Sequence, residues 1–317
     1  MKIAQKLPIL RRLTDERILP LITADYMLLG LPYYENPGDT LIWEGTLEML
    51  KKCPYQCVQT YGCGRCKYVP QGKETVIIVL GGGFFGDLWR PGWQNVMNVI
   101  SHYPDNPIVI LPQSIFYKNE MTLNKDAKVL KTLKKLTICV RDTKSFEFAN
   151  KQFGGDVRLA PDMAFYANVE RFRQSLPPPT TNGRRLYLLR QDQESNEHGV
   201  NIVGEDVDCQ DWPTMSGQRP RSLKRISKIV KFLKKHMSVV VGEKMETILY
   251  RRFAKDILLR SAVEFLNPYN EVYSTRLHGA LLSTLLGKRV FAIDNNYGKI
   301  SGCLELWLND CDNCTIL

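Results

Sequence analysis

Between Glu271 and Asp294 the sequence reads strand, helix, strand, and that pattern admits few folds. Glu271-Val272-Tyr273-Ser274 is a β-branched and aromatic run. A Leu-rich helix of about three turns follows from near Arg276, Gly287 is its stop, and Arg289-Val290-Phe291-Ala292-Ile293 is a second apolar strand. In such a βαβ unit the first helical turn lies just outside the carboxyl end of the strand. Unpaired backbone N–H groups and the helix dipole favour an anion there. Arg276 and His278 sit in that turn. Arginine offers a rigid fork of donors to a carboxylate or phosphate, and histidine can give or take a proton near neutral pH. The same residues also suit a capped helix with Arg276 in solvent and His278 satisfied locally.

The alternation recurs, so the expected class is α/β. Thr75-Val76-Ile77-Ile78-Val79-Leu80 reads as a buried strand running into Gly81-Gly82-Gly83-Phe84-Phe85-Gly86. Gly81, Gly83 and Gly86 have the spacing of a dinucleotide loop, which also requires an acidic residue at the end of the next strand. Asp105 instead precedes that strand, Ile108 to Leu111. The glycines therefore predict a substrate-facing loop rather than a nicotinamide site. Leu111-Pro112-Gln113-Ser114, Val140-Arg141-Asp142 and Ala160-Pro161-Asp162 each place polar residues just past a strand. Gln113, Arg141 and Asp162 are thus expected to converge on one edge of a parallel sheet, where open α/β sheets bind ligands. A Lys-rich helix from about Lys125 to Leu136 and one opening at Ser145 fall between these strands. Earlier, Asn36-Pro37-Gly38-Asp39-Thr40 is turn chemistry, with Asp39 or Thr40 expected to cap a helix through Leu50. That leaves Asn36 and Asp39 as polar groups at the mouth of a cleft.

At Pro177-Pro178-Pro179-Thr180-Thr181-Asn182-Gly183 the composition shifts to a stiff, exposed spacer. It predicts two Rossmann-like, doubly wound domains, 1–176 and 184–317. The second restarts with the strand Leu186 to Arg190 and a polar loop through Asp211 that shows no periodicity and is expected to be mobile. A basic amphipathic helix from Ser222 to His236, a strand Ser238 to Val241, a helix from about Met245 to Ser261 and a strand Val263 to Leu266 complete the expected order.

Hydrophobic content of 44% and charged content of 24% are those of a chain that folds around a core. The net charge of +10 suits an anionic partner. The basic clusters come with no reading-head motif, so nucleic acid is not expected. The first residues lack the apolar core of a signal peptide, and no apolar run is long enough to span a bilayer. The expectation is a cytoplasmic protein, with peripheral attachment to a membrane through basic surface left open. The 9 cysteines are then reduced. Cys53, Cys57, Cys63 and Cys66 follow none of the usual zinc-finger spacings, so free thiols are expected, with a structural zinc as the alternative.

Asn36-Pro37-Gly38-Asp39, Gly81 through Asp87, Leu111-Pro112-Gln113-Ser114, Val140-Arg141-Asp142, Ala160-Pro161-Asp162 and Ser274-Thr275-Arg276-Leu277-His278-Gly279 share a further property. In this order, over nearly the whole chain, they resemble the polysaccharide pyruvyl transferases. The resemblance implies two domains facing a cleft in a GT-B-type architecture. It implies an enzyme of capsule, exopolysaccharide or cell-wall glycan biosynthesis that moves pyruvate from phosphoenolpyruvate onto a sugar as a cyclic ketal. The acceptor would be a glycan or lipid-linked precursor, with no cofactor and no metal. His278 would act as general acid, and Arg276 and Arg141 would hold carboxylate and phosphate from opposite walls. Asn36, Gly38, Asp39, Gly82, Gly83, Gln113, Asp162, Arg190, Ser274 and Lys299 would contact substrate, with Asp39 or Asp162 as base. The cysteine cluster and the 191–211 loop depart from the family pattern, which leaves acceptor specificity open. A sugar-nucleotide glycosyltransferase on the same architecture and a non-catalytic glycan- or anion-binding module are the alternative readings.

Overall fold

The computed structural model describes every residue except 65–67, 179–182, 196–199 and 295–297. Cys66 and the middle of the expected spacer at 177–183 therefore lie outside the described residues. The chain forms two compact units, one of Gln5–Pro32 and Gly45–Ala167, the other of Met1–Ala4, Tyr33–Glu44 and Asn168–Leu317.

The first unit is built on a parallel sheet. Its strands are β1 Tyr26–Leu31, β2 Cys57–Gly62, β3 Val76–Val79, β4 Gly82–Gly86, β5 Pro107–Phe116, β6 Lys135–Val140 and β7 Asp156–Leu159. They run in the order β2-β1-β3-β5-β6-β7, with β4 on β5. β1 and β3 are buried at every residue, which is why they read as unbroken apolar runs with no alternation. The strand order reverses direction between β1 and β3, and ligands of open α/β sheets bind at such switch points.

The glycine-rich run is a strand rather than the expected loop. β3 pairs with Ile108 to Ile110 of β5, and β4 takes up the same lane against Gln113 to Phe116. Backbone proximity demands the glycines. A Cβ at Gly81 would lie 2.7 Å from the Pro112 carbonyl oxygen, and one at Gly86, where φ is +132°, would overlap the carbonyl oxygen of Phe116. The glycines serve strand approach, where the sequence suggested approach to a ligand. The Lys-rich helix is also earlier than expected, Glu120–Leu130, because Asn119 caps it by accepting from the Thr122 N–H at 2.9 Å.

The second unit carries β8 Arg185–Leu188, β9 Val207–Gln210, β10 Glu271–Ser274, β11 Arg289–Ala292 and β12 Cys314–Ile316. All are parallel, in the order β12-β11-β10-β8-β9. Tyr187, Tyr273 and Phe291 sit opposite one another in register and stack at 4.4 and 4.6 Å, a cross-strand ladder that fixes the pairing. Here the switch point lies between β8 and β10. Both units are thus α/β with parallel sheets, as expected.

Two expected strands are helical. Ser238 to Val241 falls at the start of the helix Val239–Leu249, and Val263 to Leu266 closes the helix Lys255–Leu266. In the second case Leu258, Leu259, Ala262, Val263 and Leu266 are buried at helical spacing, and burial of that face overrides the β preference of valine. The single helix expected from Met245 to Ser261 is interrupted by a π-helical segment, Tyr250–Ala254. The strand that completes the sheet, β9, lies within the stretch that sequence treated as structureless. The residues after it are fixed, with Asp211 and Trp212 buried.

Gly86→Ala combines a clash with β5 and a backbone angle that L-residues avoid. It should lower unfolding stability by about 2–4 kcal/mol, read from urea denaturation, whereas Gly64→Ala, which meets open space, should change little.

Candidate active site

At the carboxyl end of β10 every residue of Ser274-Thr275-Arg276-Leu277-His278-Gly279 has a task. The Ser274 hydroxyl accepts from the Arg276 N–H at 3.1 Å and donates to the Arg276 carbonyl at 2.9 Å, turning the chain from strand to helix. The Thr275 hydroxyl accepts from the Arg190 N–H at 2.8 Å, tying the end of β8 to the end of β10 across the switch point. Arg276 holds extended N-cap geometry, and Leu277–Leu285 is the helix. Gly279 lets that helix reach the sheet, since a Cβ there would lie 2.7 Å from Ser274 Oγ and overlap Leu188.

Arg276 is 5% exposed and does not point into solvent. Its Nε and Nη2 form a fork on the buried carboxylate of Asp211, with Nη2 at 2.6 Å, and Nη2 also reaches Asp192 at 3.2 Å. Arg190 donates to Asp192 at 2.6 Å and to Glu194 at 2.7 Å, and Lys299, first residue of the helix Lys299–Leu308, shares the same Glu194 oxygen at 3.2 Å. Arg190, Arg276 and Lys299 thus interlock with Asp192, Glu194 and Asp211. The Asp192 carboxyl is held below its ordinary range. Burial opposes this, but the hydrogen bond and charge of Arg190, the Glu194 N–H and the charge of Arg276 together outweigh it.

Asn36 to Asp39 joins this cluster's unit. Asn36, rather than Asp39 or Thr40, starts the helix Pro37–Leu50. Its side-chain oxygen accepts from the Gly38 N–H at 3.0 Å and its carbonyl from the Thr40 N–H at 3.1 Å. Asp39 accepts from Asn36 at 2.7 Å and from the Tyr34 hydroxyl at 2.9 Å. Gly38 lies against His278, where a Cβ would come within 2.9 Å of the histidine Cβ and 3.0 Å of Nδ1. The amino ends of two helices, Pro37–Leu50 and Leu277–Leu285, therefore meet at a half-buried imidazole. Unpaired N–H groups at such ends suit an anion.

In the first unit the polar strand ends also converge, but as an interior network. Arg141, with no exposed surface, donates to Ser114 Oγ at 2.9 Å and forms an ion pair with Asp162, itself 1% exposed. Ser114 donates to Asp142 at 2.8 Å, and Asp142 caps the helix Thr143–Gln152 through the Ser145 N–H. Gln113 is fully buried and donates to the Leu80 carbonyl at 2.7 Å. Gly82 and Gly83 lie in β4. A concavity of about 590 Å³ opens elsewhere, at the amino ends of β5 and β6 beside Pro107 and Lys135, and contains none of these residues.

Asp192, Glu194 and Asp211 carry no local signal in the sequence. They lie on a stretch without periodicity, and only the fold brings them to Arg190 and Arg276. Among the described residues no group of His, Cys, Asp and Glu is placed to hold a metal ion. No helix among them is long and apolar enough to cross a membrane.

The model of the family described as polysaccharide pyruvyl transferase matches residues 36–297. The chain belongs to that family. It is a transferase, and the activity that goes with the family is transfer of pyruvate to polysaccharide. Among its relatives are the putative pyruvyl transferase EpsO of Bacillus subtilis, 28% identical over 294 residues that cover 91% of this chain and 85% of that one. Another is pyruvyl transferase 1 of Schizosaccharomyces pombe, 25% identical over 311 residues, 90% of this chain and 70% of that protein. In fold the transferase is similar to a Klebsiella pneumoniae protein of uncharacterised function, with a TM-score of 0.62 at 18% identity over 97% of this chain and 98% of the other.

Gly38→Ala should push the His278 ring aside and lower transferase turnover by about tenfold or more, at a stability cost of about 1–3 kcal/mol. Because the Asp192 carboxyl is depressed in the folded protein, its stabilisation is present above the ordinary value of 3.8 and is lost as pH falls through the lower folded value. The parent should therefore be more stable than Asp192→Asn at neutral pH, and the gap in denaturation midpoint should narrow progressively below pH 3.8.

Proposed function

We propose that the protein transfers pyruvate from phosphoenolpyruvate to a pair of hydroxyls on one sugar of a glycan or lipid-linked glycan precursor. The products are a cyclic pyruvate ketal and inorganic phosphate, formed in the cytoplasm. The observation that carries this reading is the seating of His278 by Gly38, where two helix amino ends meet in the unit that also holds the Arg190, Arg276 and Lys299 cluster. Phosphoenolpyruvate bears a phosphate and a carboxylate, and helix N–H groups with cationic forks are what such a molecule requires.

In the proposed course His278 gives a proton to the methylene carbon, whose double-bond electrons take it up and leave the central carbon electrophilic. One sugar hydroxyl bonds to that carbon and passes its proton to the carboxylate of Asp39. The carbon–oxygen bond to phosphate then breaks with its electrons going to phosphate. The second hydroxyl closes the ring, and its proton leaves with the phosphate. Arg276 would hold the donor's anionic groups and stabilise the departing charge. Arg190 holds Asp192, one of the carboxylates on Arg276, and Lys299 meets Arg190 on Glu194. Asn36 and Ser274 shape the surroundings, each fixing the start of one of the two helices. A GT-B-type pairing of the two units, the second taking the donor and the first the acceptor, belongs to the same proposal.

His278→Ala should reduce acceptor-dependent phosphate release by about 10²–10⁴-fold while circular dichroism stays that of the parent. Arg276→Lys keeps a charge on Asp211 but loses the fork, and should also be severely impaired. Full release by both variants would sink the assignment. Mass spectrometry of galactosides, glucosides and mannosides incubated with phosphoenolpyruvate should show one of them gaining a pyruvate less one water.

A further inference from the structure

The helix Arg221–His236 reads Arg-Ser-Leu-Lys-Arg-Ile-Ser-Lys-Ile-Val-Lys-Phe-Leu-Lys-Lys-His, without an acidic residue. Leu223 and Val230 bury one side of it. On the other side Ile229 is 47% and Phe232 61% exposed. Arg225, Ile229, Phe232 and His236 recur at helical spacing and form one stripe, with Phe232 and His236 ring centroids 4.5 Å apart. Lys228 and Lys235 are exposed beside it. Among the described residues the one ion pair made by a lysine of this helix is between Lys234 and Glu246. The next helix, Val239–Leu249, packs back through Gly242 against Lys234 and carries Glu243 and Glu246, the latter paired with Lys234. Met237, Val241, Ile248 and Phe253 are each more than a third exposed, interleaved with exposed Lys244, Arg251 and Arg252.

A single exposed apolar side chain calls for no explanation. Here the exposed apolar groups repeat along two successive helices, and cations flank them. Three kinds of occupant can be weighed on charge and hydrophobicity. A second copy of the same face would set like charges against each other across the contact. A nucleic acid would use the cations and leave Ile229 and Phe232 in water. An anionic lipid surface uses both, the cations against lipid phosphates and the apolar side chains in the boundary between headgroups and acyl chains.

We propose that the hairpin 221–249 is a membrane-surface anchor. Phe232 and Ile229 enter the headgroup boundary of an anionic bilayer, and Arg225, Lys228 and Lys235 meet the lipid phosphates. The proposal goes beyond the transfer reaction and does not depend on it, although a surface of this kind would hold the enzyme where lipid-linked glycans reside.

The test is sedimentation of the full chain with vesicles of phosphatidylglycerol and phosphatidylcholine, against vesicles of phosphatidylcholine only. The parent should bind the anionic vesicles, release them as salt rises, and ignore the neutral ones. Phe232→Ser should lower the partition coefficient by roughly tenfold or more. Neutralising Arg225, Lys228 and Lys235 together to Gln should lower it by roughly a hundredfold, at about fivefold for each charge near the surface. Circular dichroism should match the parent in both variants. Failure of the parent to bind anionic vesicles at low salt would overturn the anchor, and so would parent-like binding by both variants. Binding to heparin and vesicles alike that Phe232→Ser leaves untouched would also overturn it, marking a general polyanion surface. Self-association abolished by Phe232→Ser, without vesicle binding, would assign the face to a second copy instead.

Discussion

A guanidinium as enclosed as that of Arg276 cannot remain charged without a partner, because removal from water costs far more than packing returns. Asp211 supplies the partner as a bidentate fork, itself 2% exposed, and Asp192 adds a third contact. Much else in the second unit follows from this requirement. Asp211 must come directly after β9, so the long stretch after β8 has to return to the sheet edge. Asp192 must be held, and Arg190 and the Glu194 N–H hold it. Arg190 must be fixed in turn, and its backbone is tied to Thr275, next to Arg276. The chain of dependence closes on itself, so the position of Arg276 is set from several directions at once. Loss of one member from such a buried network costs about 3–5 kcal/mol, because its partner is left buried and uncompensated.

The first unit meets the same constraint with a different outcome. Arg141 is also paired with a carboxylate at a strand end, but it is fully enclosed, and its partners Ser114 and Asp162 lie on the neighbouring strand ends. Three connections are locked together by one side chain. In the second unit the Asp192 side chain keeps 28% of its surface and that of Arg190 keeps 10%. The first network is therefore built as a clasp, and the second as a clasp with an open side.

What could be read from sequence was whatever is encoded locally. The unit from Glu271 to Ala292 was legible because apolar period, N-terminal turn and C-terminal glycine all lie within one window. The strand ends at Gln113, Arg141 and Asp162 were legible because parallel strands must end in line. Asp192, Glu194 and Asp211 were not, since a carboxylate in an aperiodic stretch looks the same whether it is solvated or buried against an arginine. The contact of Gly38 with His278 was hidden for a related reason. A glycine before a helix is fully explained by turn chemistry, and nothing local says that its missing side chain makes room for a ring from the far end of the chain. Val263 misled in the opposite direction, because β-branching is a local preference that burial on a helix face overrode.

The charge balance of the cluster bears on how an anion would be held there. Three cations facing three carboxylates give no net charge, so attraction at long range has to come from the chain's overall surplus of +10. At short range the cluster contributes donors already fixed in direction, and fixed donors lose little freedom when a ligand arrives. Helix amino ends work in the same way, with N–H groups whose direction the backbone sets. His278 is positioned by different means. Gly38 leaves room for its ring, where a Cβ would come within 2.9 Å of the histidine Cβ and 3.0 Å of Nδ1. A ring placed by the backbone of a neighbouring helix loses little freedom when a ligand arrives, as the fixed donors do.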